Sequence, residues 1–281
     1  MTSLSNLKIS FIGGGNMASA LIGGLIQQGA QASHISVADP YEPTRQNLEK
    51  NFKIATTANI QGLAENIKDA DVLVLAVKPQ QFKEAASELL AVFNQSSKKP
   101  LCLSVAAGIR TQDMARWLNH TRLIRAMPNT PALIGQGMTG LFASNEATQE
   151  DRNNAESICS AVGKITWVNN EKQIDDITAV SGSGPAYVFA FIEALEKAAI
   201  AQGLSSDQAR LLATQTVLGA ATLASQSSES PGTLRERVTS KGGTTYAALQ
   251  VLEKLNWSSI IGEAVAAASA RGAEMGEEFG K

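Results

Sequence analysis

The sequence predicts a doubly wound α/β domain with a mainly parallel sheet over residues 1–168, followed by an all-α domain over residues 169–281. Three observations predict it. Short β-branched runs alternate with helix-length segments up to about residue 168. Several of those runs are apolar at consecutive positions, the pattern of strands covered on both faces. Beyond about residue 170 the strand signal stops and helix-cap signals take over.

The strand-like runs are "KISFIG" (8–13), "ISVAD" (35–39), "DVLVLAV" (71–77), "LCLSVA" (101–106), "LIRAMP" (123–128), "GLFAS" (140–144) and "ITWV" (165–168). In the second half a helix begins near Pro185, and Gly203 is placed to end it. Ser205 and Gln208 have the spacing of a capping box, and Pro231 is set to open a further helix. Ala, Leu and Gly crowd most sides of these helices, more apolar surface than a domain of this size can bury alone. Subunit association would supply the cover.

Composition excludes several classes. The net charge of −2 comes with scattered Lys and Arg, not the basic stripe that nucleic acid requires. The stretch "AYVFAFIEALEKAAIA" carries Glu193, Glu196 and Lys197, too costly for a membrane span. The opening "MTSLSNLK" lacks the features of a signal peptide, so the expected location is cytoplasmic. Cys102 and Cys159 have no His or acidic neighbours at metal spacing, so neither a metal site nor a disulfide framework is expected.

Gly13, Gly15 and Ala18 fit the spacing G-x-G-x-x-[GA] between a strand and an apolar-periodic helix. Gly13 permits the tight turn, Gly15 lets a diphosphate approach the backbone, and Ala18 lets helix and strand pack closely. A dinucleotide site follows. Asp39 ends the second strand, where a carboxylate takes a ribose 2′-hydroxyl and repels a 2′-phosphate, which argues for NAD. Arg45 stands close enough in sequence to serve a 2′-phosphate, so the cofactor stays open between NADH and NADPH. Two more loops, "AVKPQ" (76–80) and "VAAGI" (105–109), follow strand ends in the ligand-binding region of such sheets.

A second glycine turn, "VTSKGGTTYAAL" (238–249), opens a helix far from the first. Its paired glycines beside paired threonines resemble an anion-binding loop running into a helix. Only two histidines occur, His34 and His120, both at strand starts and expected at the surface. The scarcity of general acids tilts the chemistry toward reduction of a C=N bond that arrives already protonated.

The segments "FIGGGNMA", "AVKPQ", "RAMPNTPALIGQGMTG", "VSGSGPAYVF" and "VTSKGGTT", in this order, resemble pyrroline-5-carboxylate reductase nearly throughout the chain from Lys8 onward. The resemblance implies an N-terminal Rossmann domain, an all-α C-terminal dimerisation domain, and reduction of 1-pyrroline-5-carboxylate to L-proline, the last step of proline biosynthesis. It implies NADPH as the default cofactor, with NADH possible given Asp39, and a homodimer or a decamer of five dimers. Cofactor-binding positions would be Gly13, Gly14, Gly15, Asn16, Met17, Asp39, Asn59, Ala76, Val77, Lys78, Pro79, Val105, Ala106 and Ala107. Glu171, Gly242, Gly243, Thr244 and Thr245 match substrate-contacting positions, with Thr245 as the catalytic hydroxyl beside the ring nitrogen. Two positions depart from the family's pattern: Lys241 stands where Pro is common, and Asp39 where Ser or Asn is. Other imine reductases, β-hydroxyacid dehydrogenases and non-catalytic NAD(P) sensors are the competing readings.

Overall fold

Each apolar run is a strand because successive side chains point to opposite faces and both faces are covered. In a computed structural model that describes residues 4–281, β1 (Ile9–Ile12) leads into α1 (Asn16–Gln27), then β2 (Ile35–Ala38), α2 (Glu42–Phe52) and β3 (Ala55–Thr57). The chain continues through α3 (Ala64–Asp69), β4 (Val72–Leu75), α4 (Pro79–Phe93), β5 (Leu101–Ser104), α5 (Thr111–Leu118) and β6 (Leu123–Met127). Then come β7 (Gly137–Ala143), α6 (Gln149–Ser160), β8 (Gly163–Trp167) and α7 (Lys172–Ile177).

The eight strands form one sheet in the order β3-β2-β1-β4-β5-β6-β7-β8. All pairs are parallel except β6 with β7. Phe11, Val37, Val74 and Leu103 point into one buried layer, and Ile12, Ala38, Leu75 and Cys102 into the other. Each fully buried Leu, Ile or Phe contributes about 1.5–3 kcal/mol through burial. The order of connection reverses between β1 and β4, which opens a crevice at their carboxyl ends.

The contacts divide the chain into two compact units, residues 1–183 with 268–281, and residues 184–267. The division differs from the expected boundary at 168/169 for a physical reason. Residues 169–183 stay with the sheet, because Ile174 and Ala179 are buried and Asp175 faces the buried Arg125 of β6. The second unit is helical throughout: α8 (Gly184–Ala201), α9 (Ser206–Gln226), α10 (Pro231–Arg237), α11 (Thr244–Lys254) and the start of α12 (Trp257–Phe279). Its Ser205–Gln208 capping box forms, Gly203 takes φ +93° at the end of α8, and Pro231 sits in the first turn of α10. Phe189, Leu211, Leu212, Leu218 and Ile260 are exposed, so this unit presents a broad apolar surface.

Two expectations need correction. His120 is buried, its Nε2 donating to Pro100 O over 2.9 Å and its ring edge-on to Phe93, while His34 is half-buried beside Ser5 O. A strand start in a covered sheet is itself buried, and a backbone carbonyl satisfies the imidazole. β3, a short strand at the sheet edge, was not anticipated. Among the described residues no helix is long and apolar enough to cross a membrane, and no group of His, Cys, Asp or Glu is arranged to hold a metal ion.

Candidate functional site

The turn between β1 and α1 has little freedom. Gly13 takes φ +91°, and a Cβ there would lie 2.6 Å from Ala76 O. Only glycine fits. Gly13 N donates to Ala38 O, and Ala76 N donates to Ile12 O, so the turn is bound to the ends of β2 and β4. Gly15 is exposed, with open space where a Cβ would point, and no side chain caps α1. An uncapped helix start beside an open glycine is a seat for a diphosphate.

A cleft of about 630 Å³ opens beside this turn, lined by Gly13, Gly15, Asp39, Asn59, Ala76, Val77 and Lys78. Seven predicted cofactor positions therefore share one cleft. Gly14 lies against α2, where a Cβ would meet Leu48 and Thr44, and its amide donates to Asp39 Oδ2. Asn16 and Met17 open α1, and Pro79 opens α4 behind the exposed Lys78. Val105, Ala106 and Ala107 follow β5, with Val105 N donating to Leu75 O, one residue from Ala76. Arg45 Nη1 donates to the carbonyls of Asp39 and Pro40.

Sequence reasoning missed Tyr41, Thr44, Gln81, Glu84 and Glu88 in the cleft wall. The last three, with Ala85, recur at helical spacing along one face of α4, a signal that was available once α4 was placed at a ligand-binding loop.

Glu171 has an engaged carboxylate. Oε1 accepts from Thr111 N at 2.7 Å and from Arg125 Nη1 at 2.8 Å, and Oε2 accepts from Thr111 Oγ1 at 2.7 Å. Both oxygens thus bond to the framework, at the position that the resemblance assigns to substrate contact. Arg125 also approaches Asp175 at 3.8 Å. Burial raises the Asp175 carboxyl above the ordinary aspartate range, against the opposing pull of Arg125 and Arg110.

The second glycine turn lies in the second unit. Gly242 takes φ +75°, and at Gly243 a Cβ would displace the Ser240 side chain, 2.6 Å from Oγ. Gly243 N donates to Ser240 O, so that amide bonds within the turn. No side chain caps α11, which leaves the amides that follow, Thr244 first, at an uncapped helix start. Thr245 is half-buried and Lys241 is exposed. A hollow of about 550 Å³ on this unit is lined by Tyr246 and not by Thr244 or Thr245.

Residues 171–275 match the family model for pyrroline-5-carboxylate reductase dimerisation, and residues 8–108 match the model described as NADP oxidoreductase, coenzyme F420-dependent. The pyrroline-5-carboxylate reductase of Pseudomonas aeruginosa is 42% identical over 99% of this chain and 100% of its own length. That of Haemophilus influenzae is 45% identical over 95% of this chain and 97% of its own. The chain belongs to the pyrroline-5-carboxylate reductase family. A solved pyrroline-5-carboxylate reductase from Coxiella burnetii, 42% identical, superposes with a TM-score of 0.89 over 96% of this chain and 98% of that one. A Plasmodium falciparum pyrroline carboxylate reductase, solved with NADP bound, is 27% identical and superposes at 0.82 over 97% of this chain and 99% of that one. As a pyrroline-5-carboxylate reductase, the chain is an NAD(P)H-dependent oxidoreductase whose residues 171–275 form the dimerisation region of the family.

Proposed function

We propose that this chain reduces 1-pyrroline-5-carboxylate to L-proline with NADPH or NADH. The observation that carries the reading is identity of 42–45% with pyrroline-5-carboxylate reductases along essentially the whole chain. The glycine turn at 13–15 supports it, being shaped for a dinucleotide diphosphate at the start of α1.

When bound, the reduced nicotinamide supplies the hydride that adds to C5 of the ring. The chain's own groups bind and orient. Gly13, Gly14, Gly15, Asn16 and Met17 hold the diphosphate, Asp39 and Asn59 face the adenosine end, and Ala76–Pro79 with Val105–Ala107 line the path to the nicotinamide. The α11 start holds the substrate carboxylate through its free amides, and Thr245 hydrogen-bonds the ring nitrogen. As the C5=N electrons collapse onto nitrogen, an iminium that arrives protonated becomes a neutral amine without a strong acid. Catalysis then rests on positioning and electrostatics. The enzyme works in the cytoplasm as a homodimer or a decamer of five dimers, without nucleic acid or membrane.

The test follows NADPH and NADH absorbance separately while the pyrroline substrate is added to the full chain. Oxidation of either supports the proposal. Tight cofactor binding with no oxidation would mark a sensor and overturn it.

A further inference from the structure

The buried Arg125 has no obvious place in that chemistry, yet it sits beside it. It pairs in register with Ser104, the last residue of β5, at the ligand end of the sheet. Its guanidinium is only 4% exposed and needs an anion, which Glu171 provides at 2.8 Å. The same carboxylate then reaches Thr111, the first residue of α5, through both its amide and its hydroxyl. The residue before it, Arg110, makes no side-chain cap, so Glu171 from sixty residues away is the acceptor at this helix start, where negative charge is favourable.

Between β5 and α5 lies the loop 105–110, and it is held from three sides. Val105 N donates to Leu75 O over 3.0 Å at its beginning. Gly108, at φ +73°, packs so closely on the last turns of α12 that a Cβ would meet Phe279 at 3.2 Å and Met275 at 3.3 Å. Arg110 Nη2 donates to Ala273 O at 3.2 Å, and Glu171 fixes the end of the loop at Thr111. Of these anchors, the Arg125–Glu171–Thr111 chain alone ties the loop to β6 through charge.

We infer that Arg125, Glu171 and Thr111 form a positioning clamp that sets the Val105–Ala107 loop where the nicotinamide end of the cofactor must lie. The inference rests on the proposed role of that loop. Glu171 acts through Thr111 and touches neither substrate nor cofactor. Its carboxylate holds the α5 start at one place, and Arg125 holds the carboxylate.

The experiment compares Glu171→Gln, Thr111→Val and Thr111→Ser with the unsubstituted full chain. Readouts are kcat, the KM for pyrroline carboxylate, the primary isotope effect with 4-deuterated cofactor, the emission of bound NADH, and affinity for ADP-ribose, which lacks the nicotinamide. For Glu171→Gln, kcat should fall about tenfold or more and the isotope effect should rise, while ADP-ribose affinity stays within about twofold, the pattern of a misplaced reacting ring. Thr111→Val should lose a smaller part of kcat in the same pattern, and Thr111→Ser, which keeps the hydroxyl, should restore it. If Glu171→Gln does not fold, the Thr111 pair reads the same question with the ion pair intact.

A raised substrate KM with unchanged kcat would make Glu171 a substrate contact and overturn the clamp. So would a lowered melting temperature with unaltered kcat and isotope effect. If the unsubstituted chain fails to turn over the pyrroline, the proposed reaction falls. The clamp is then judged by NADH emission, which must change in Glu171→Gln while ADP-ribose binding does not. Unchanged emission overturns it.

Discussion

The Gly14 amide donates to Asp39 Oδ2 over 2.7 Å, joining the glycine turn to the end of β2. Asp39 Oδ1 accepts from Tyr41 N at 2.8 Å, so the carboxylate is pinned by two backbone amides and cannot swing out of the cleft. Arg45 is held on two carbonyls and is not aimed at a phosphate. A 2′-phosphate placed here meets a fixed like charge, which disfavours it by about 1–4 kcal/mol at 4 Å. Asp39→Ser should therefore raise affinity for NADPH relative to NADH by about tenfold or more, read by titration of each cofactor. A strong NADPH preference in the unsubstituted chain would defeat this account of Asp39.

Gly13 and Gly15 separate stability from binding. Gly13→Ala forces a Cβ against Ala76 O at φ +91° and should cost about 2 kcal/mol or more, seen in chemical denaturation. Gly15→Ala meets nothing and should change stability by less than about 0.5 kcal/mol. Its methyl group would stand where the diphosphate approaches, so NADH affinity should drop. Equal destabilisation of the two variants would contradict the geometry.

Thr245→Ala removes the hydroxyl assigned to the ring nitrogen. Turnover should fall by about tenfold or more, the scale for losing a contact that positions the reacting ring, with cofactor affinity nearly unchanged. Parallel loss of cofactor binding would mean the residue has a different role.

At the other end of the sheet, Arg122 makes a two-pronged pair with Asp151 at 2.6 and 3.0 Å, and Asp151 closes the capping box of α6 with Thr148. Burial alone would raise the Asp151 carboxyl, but Arg122 and the Thr148 amide and hydroxyl outweigh it and hold the pKa below the ordinary 3.8. A depressed carboxyl contributes stability that is complete above the unfolded value and is lost as pH falls through the folded one. Unfolding followed from pH 6 downward should thus show a loss below about pH 4. Asp151→Asn should remove that part of the pH dependence and cost about 2 kcal/mol at neutral pH. An unaltered acid limb in the variant would rule out this pair as its source.

Cys102 and Cys159 are buried, and desolvation pushes both thiols up to about 12. Neither forms thiolate at neutral pH, so a disulfide reagent should label the native chain only as fast as it unfolds. Rapid labelling without denaturant would show one of them to be reachable.

Most of the sheet was legible because its signals are local: apolar pairs at successive positions in β1, β4 and β5, and a glycine turn between a strand and a helix. β3 was not, since Ala55–Thr57 is three residues long, largely polar and at an edge, and is stabilised by pairing with β2. The reversal of β7 against β6 was readable in principle, because residues 128–136 are too few for a crossover to a parallel neighbour. The residues gathered in the cleft beside the first glycine turn were marked by spacing, whereas the partners of Glu171 were not. Its partners Thr111 and Arg125 stand 60 and 46 residues away, and no local pattern marks a carboxylate that will be shared between a helix start and a buried guanidinium.

The sheet unit is completed by residues 268–281, which pack on Gly108 and bond to Arg110. During synthesis these residues follow the whole helical unit and emerge on the order of ten seconds after the sheet's own strands. Until then the loop after β5 lacks one of its walls. The nascent sheet can pair and bury its core early, but the loop after β5 reaches its final packing only once the last helix has docked, which makes that loop, and the clamp proposed to set it, a late product of folding.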